Sequence, residues 1–227
     1  MNYDEKSFWN VNYPDSEFYV FDRDELSSTE LRKNIYAHWD WLPNVVKPYF
    51  VKKVLIIGLE SSGKSVMTVN LANHFNTNYI EEAGRELSEK SGTDTLMLKE
   101  DFTEILLTQK MNEMKAIEHS NRVLFCDTDC LITQFYLNFL KGDKENIKLS
   151  EAIDGINSYD LVLFLAPDVK WVQDGDRSEE IRDNRPMYRD MLGEIYKSHG
   201  KYFKYIEGSY LEKYNQCVEL VNELLNY

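Results

Sequence analysis

The stretch Gly58-Leu59-Glu60-Ser61-Ser62-Gly63-Lys64-Ser65 follows directly on the apolar run Val54-Leu55-Ile56-Ile57. This junction constrains the fold more than any other part of the chain. A short apolar run of that kind reads as a buried strand. The two glycines then let the backbone curl until its N–H groups point inward, and a helix opening at Gly63 aims the positive end of its dipole at the same point. The spacing G-x-x-x-x-G-K-[ST] is that of a phosphate cradle. It assigns Gly58, Glu60, Ser61, Ser62, Gly63, Lys64, Ser65 and Val66 to binding a nucleotide, with Lys64 on the β- and γ-phosphates and Ser65 on Mg²⁺. ATP and Mg²⁺ are the cofactors that this pattern implies. An ordinary Gly/Ser turn between strand and helix is the alternative, and the context weighs against it.

With 227 residues and 43% hydrophobic content, the chain can bury one substantial core and a smaller terminal element. A net charge of −13 and a pI near 4.8 argue against a nucleic-acid footprint, which calls for clustered Lys and Arg. Cys126, Cys130 and Cys217 are too few and too scattered for a disulfide framework or a zinc site, and they read as reduced thiols. None of the four histidines (His38, His74, His119, His199) has metal-ligand spacing with another. No run approaches the roughly eighteen apolar residues of a membrane span, and Met1 to Asn10 lack the pattern of a signal peptide. The expectation is a cytoplasmic protein without membrane insertion.

The first fifty residues hold three of the five prolines and three of the four tryptophans, which sets them apart as an extension from 1–50. Glu17–Phe21 is expected as a short strand, Ser28–Tyr36 as a capped helix, and Val45–Phe50 as the lead into the core. From 51–227, strand patterns (Val54–Ile57, Asn78–Glu82, Val123–Asp127, Leu161–Ala166, Tyr202–Glu207) alternate with helical ones (Gly63–Phe75, Glu100–His119, Leu131–Leu140, Arg189–Lys197, Tyr210–Leu225). That rhythm predicts an α/β fold of the P-loop NTPase class, a five-stranded parallel sheet with helices on both faces.

In such sheets ligands sit beyond the carboxyl ends of the strands, and three polar clusters lie there. Glu81-Glu82-Ala83-Gly84-Arg85-Glu86 follows the second strand; a solvated loop explains it equally well. Cys126-Asp127-Thr128-Asp129 ends the third, where Asp127 suits a Mg²⁺ ligand or a base. Helix capping is the competing role for Asp127 or Thr128. The segment 168–177, with Arg182 and Arg185 beyond it, follows the fourth strand. Arg177, Arg182 and Arg185 could close over the nucleotide and neutralise developing charge. Pairing of Arg182 and Arg185 with Glu179, Glu180 and Asp183 on a surface helix is the plainer reading. Trp171 offers a flat face to a ring, although packing would explain it as well.

Taken together, these motifs resemble the ribosylnicotinamide kinase domain of NadR-type proteins over about Val51 to Asn226. The resemblance is carried by 48–54, the loop 60–65, Glu82-x-Gly84-Arg85-Glu86, Asp127-Thr128-Asp129 with Thr133-Gln134, and Trp171-x-x-Asp174-Gly175-x-Arg177. It implies transfer of the ATP γ-phosphate to the 5′-hydroxyl of nicotinamide riboside. Ser27-Ser28-Thr29-Glu30-Leu31-Arg32 is similar to the end of that family's nucleotidylyltransferase domain. Nothing before it supplies the rest of such a domain, so no adenylyltransferase activity is expected, and Trp39 and Trp41 are expected to pack against the kinase domain.

On this reading Lys64 holds phosphate, and Ser65 with Asp127 holds Mg²⁺. Glu82 or Asp127 takes the acceptor proton, a choice that the residues leave open. Arg85 holds the acceptor end or the transferred phosphate, Asp129 and Asp174 the ribose hydroxyls, and Trp171 the nicotinamide ring. The rival enzymatic reading is a kinase for another nucleoside. A rival of another class is a nucleotide-binding sensor reporting NAD precursors to a partner such as a riboside uptake channel.

Overall fold

The computed structural model describes residues 11–12, 15, 27–91, 97–142, 146–173 and 177–226, and of 86 and 89–91 the backbone alone. Contacts divide the chain into two compact units, Met1–Ile35 and Tyr36–Tyr227. In the first, helix α1 (Ser28–Lys33) is capped by Ser27, whose side-chain oxygen accepts from Glu30 N–H. The helix stops short of the expected Tyr36 because Asn34 turns to extended geometry. The strand expected at Glu17–Phe21 lies outside the described residues.

The division falls at 35 rather than at the boundary expected at 50. The stretch Tyr36–Phe50 therefore belongs with the α/β unit. Its tie is specific: the Tyr36 hydroxyl donates to the Phe50 carbonyl, and Arg122 Nε donates to the Tyr36 carbonyl, both at 2.9 Å. Tyr36, Trp39 and Leu42 are buried. Trp41, expected to be buried, is only half-buried and stacks on His38 at 4.0 Å.

Five strands, β1 (Lys52–Ile57), β2 (Tyr79–Ile80), β3 (Val123–Asp127), β4 (Leu161–Leu165) and β5 (Lys204–Ile206), form one sheet in the order β2-β3-β1-β4-β5. Every pairing is parallel. Val54 to Ile57 and Val123 to Phe125 are wholly buried in succession, the pattern of strands covered on both faces. The fold class is the one that the sequence predicts.

The helices α2 (Lys64–His74), α4 (Lys99–Ala116), α5 (Cys130–Lys141), α8 (Arg185–Ser198) and α9 (Tyr210–Leu224) match the expected segments. Two others, α3 (Ala83–Ser91) and α6 (Ile147–Ile156), do not appear in the sequence reading, and α7 (Glu179–Asp183) is the surface helix of its plainer alternative for Arg182. Helix α3 occupies the acidic cluster. Among its described side chains, Ala83 and Leu87 pack on Met97, Phe102, Ile105 and Leu137, while the density of charged residues reads as a solvated loop. Among the described residues no helix is long and apolar enough to cross a membrane. All three cysteines are buried and unbonded.

Candidate active site

Strand β1 is central, with β3 and β4 at its sides. The chain leaves β1 toward one edge of the sheet and crosses from β3 to the other, so the carboxyl ends of β1 and β3 open a crevice. The register pairs Ile56 with Asp127. This sets the loop after β1 beside the carboxylate that ends β3.

Within the loop, Gly58 has φ +150°, and a Cβ there would come within 2.8 Å of the Leu165 carbonyl oxygen and of Ser62 Oγ. No other residue fits so close a backbone approach. Gly63 takes φ +91°, leading into α2 at Lys64. Lys64 is buried, and its Nζ donates to the Leu59 carbonyl at 3.2 Å. A phosphate entering the cradle would replace that carbonyl as its partner.

A cavity of about 310 Å³ adjoins the cradle, lined by Ser65, Val66, Tyr79, Glu82, Arg85 and Asp127 among others. Arg85 Nη2 donates to Ser65 Oγ at 2.8 Å. Asp127 is buried; one of its oxygens accepts from the Thr128 hydroxyl at 3.3 Å, while Oδ2 has no hydrogen-bond partner. A buried, unpartnered carboxylate oxygen carries a solvation deficit that a cation would relieve. The Ser65 hydroxyl lines the same cavity, and these two hard oxygens are of the kind that would hold Mg²⁺. Burial pushes the Glu82 carboxyl above the usual carboxylate range, and the Asp127 charge adds to that rise, while Lys64 and Arg85 oppose it.

The structure thus brings Lys64, Ser65, Glu82, Arg85 and Asp127 together. It places Asp129 elsewhere. That carboxylate is buried as the N-cap of α5, where Oδ1 accepts from Leu131 N, Ile132 N and the Tyr196 hydroxyl. Burial raises it to about 6, and it does not line the cavity.

The third cluster packs against the outside of the cradle. Ser61 Oγ accepts from Val172 N–H at 2.9 Å, and Glu60 Oε2 accepts from Ser178 N–H at 2.9 Å. Arg185 donates to the carbonyls of Val169 (3.0 Å) and Ser61 (3.3 Å), and its guanidinium lies 5.4 Å from the Trp171 ring centre. Trp171 lies against Arg185 and does not line the cavity. Arg177 donates to the Val172 carbonyl. Arg182 pairs with Glu179 (3.3 Å) and Asp183 (2.8 Å) along α7, as the plainer reading expects. Asp174 lies outside the described residues.

Two residues absent from the sequence reading belong to the site. Tyr79, on the edge strand, forms part of the cavity wall. Gln109, on α4, bonds backbone on either side of it: Oε1 accepts from Ala83 N–H at 2.9 Å, and Nε2 donates to the carbonyls of Asp127 (3.0 Å) and Thr128 (3.2 Å). No motif marks a lone glutamine in a long helix.

A strand, a phosphate cradle and a metal-suited carboxylate at adjoining strand ends define a P-loop nucleotide-binding protein of the kinase-like class. A family model described as an AAA domain matches residues 53–213, and the chain belongs to that family. Its sequence is homologous to NadR: over 203 residues it is 34% identical to the trifunctional NAD biosynthesis/regulator protein NadR of Salmonella typhimurium, covering 88% of this chain and 49% of that protein. The chain spans about half the length of the curated relatives it matches. Among solved structures, NadR in complex with NR superimposes with a TM-score of 0.77 at 22% identity, over 88% of this chain and 58% of that one. NadR in complex with NAD and AMP-PNP gives 0.70 at 25% identity, over 86% and 55%.

Proposed function

We propose that this chain transfers the γ-phosphoryl group of ATP to the 5′-hydroxyl of nicotinamide riboside, giving nicotinamide mononucleotide, and that residues 51–227 carry this chemistry. The observation behind it is the convergence of Ser65, Glu82, Arg85 and Asp127 on one cavity beside the Lys64 cradle. Homology to NadR, and a structural relative whose complex contains NR, support the choice of acceptor.

Phosphoryl transfer needs little covalent chemistry from the protein; positioning and charge neutralisation do most of it. The cradle amides and Lys64 hold the donor phosphates. Ser65 and Asp127 would hold Mg²⁺, directly or through water, and the ion would supply neutralisation of phosphate charge. Glu82 then takes the hydroxyl proton, since a carboxyl held above its usual range is the better proton acceptor. Arg85 binds the transferred phosphoryl beside Ser65. Tyr79, Glu81 and Glu82 give the acceptor side an aromatic and anionic wall, which suits a cationic pyridinium.

The test is a mass-spectrometric acceptor panel with Mg·ATP: nicotinamide riboside beside uridine, cytidine, adenosine and thymidine, with Lys64→Ala as the blank. Riboside-selective formation of the mononucleotide, reduced by about a hundredfold or more in the blank, is the expected result. Phosphorylation of another nucleoside in preference, or of none, overturns the reading.

A further inference from the structure

The acceptor side of the cavity hangs on very little regular structure. Strand β2 is two residues long and pairs only with β3 among the described residues. Helix α3 starts immediately after Glu82, with the orphan N–H groups that any helix N-terminus exposes. Glu82 and Arg85 sit on that junction, and Asp127 sits across from it at the end of β3. Phosphoryl transfer nevertheless demands that all three share one geometry to within a fraction of an ångström.

We propose that Gln109 is the positioning residue that locks the β2–α3 junction to the end of β3, and so fixes Glu82 and Arg85 relative to Asp127. Gln109 is 8% exposed, and both ends of its amide are engaged. The oxygen takes the Ala83 N–H, one residue past Glu82, and the two amide protons go to the carbonyls of Asp127 and Thr128. The orientation admits no flip, because a reversed amide would set its oxygen against two carbonyls and its NH₂ against an N–H. All three bonds land on the two segments that carry the site. A residue placed only to stabilise α4 would bond within its own helix. The inference rests on the kinase reading for its catalytic consequence, and on geometry alone for the clamp.

Two measurements separate these. In Gln109→Met, which keeps length and burial but removes all three bonds, amide exchange of the nucleotide-free protein should accelerate at Ala83 and across 82–85 by roughly tenfold or more. Amides of β1 and β3 should keep their protection. Unchanged exchange at Ala83, or an equal loss across the sheet, overturns the clamp. In turnover assays, kcat should fall by roughly ten- to a hundredfold while the KM for ATP, set by the cradle, stays within about twofold. A kcat equal to wild type overturns the positioning role even if the melting temperature drops. Gln109→Glu, which protonated keeps the acceptor and one donor, should recover part of the loss at low pH. If exchange accelerates locally but the wild-type protein phosphorylates no acceptor, the clamp stands and the kinase reading falls.

Discussion

At the scale of single residues, the two aspartates of Asp127-Thr128-Asp129 have opposite fates. Each leaves one buried oxygen unpartnered, but Asp127 ends a strand and lines the cavity, whereas Asp129 turns inward to cap α5. Thr128, at φ +75°, makes the turn between them. The sequence shows two carboxylates after an apolar run and cannot say which faces the ligand, because a one-residue change of direction decides it. Asp129 carries a consequence for stability. Its carboxyl is held at about 6 by burial, above the unfolded value near 4, so folding favours the protonated form. That contribution is complete below about pH 4 and is lost as pH rises toward 6. Asp129→Asn keeps an acceptor for the cap and cannot ionise. Urea unfolding from pH 4 to 7 should show the variant gaining on wild type by up to about 3 kcal/mol across that window; parallel curves would refute it.

At the scale of elements, the parallel sheet was readable because its central strands are unbroken Val, Ile, Leu and Phe, bounded by turn chemistry. β3 runs over the same residues as its sequence pattern, and β1 and β4 differ by two residues or fewer at one end. What escaped were helices held by partners remote in sequence. Ala83 and Leu87 find their core in Met97, Phe102, Ile105 and Leu137, on other elements, and no single helical period joins the two sides of that contact. The same holds for the site: Lys64 and Ser65 announce themselves by spacing, while Gln109 and Tyr79 acquire meaning only when α4 and β2 are brought beside β3. The extension divides in a way that composition does not show. Trp39 is 3% exposed and belongs with the α/β unit. A chain lacking 1–50 should therefore melt about 10 °C or more below one lacking only 1–35, since loss of a buried tryptophan alone costs about 3–5 kcal/mol. Equal melting temperatures would show that Tyr36–Phe50 contributes nothing to that core.

At the scale of the whole molecule, the proposed kinase reading puts donor and acceptor on different parts of the sheet. The cradle and Asp127 hang from β1 and β3, which are paired along most of their length, while Tyr79 lies on the edge strand. Tyr79→Ala should raise the KM for the riboside by roughly tenfold and leave that for ATP within about twofold. A proportional rise in both constants, measured by steady-state kinetics, would show that the two sides are not separable. The two-residue edge strand also bears on descent. Substitutions there disturb few ladder bonds and no part of the phosphate cradle, so a lineage built on this frame can exchange one acceptor for another without relearning how to hold its donor.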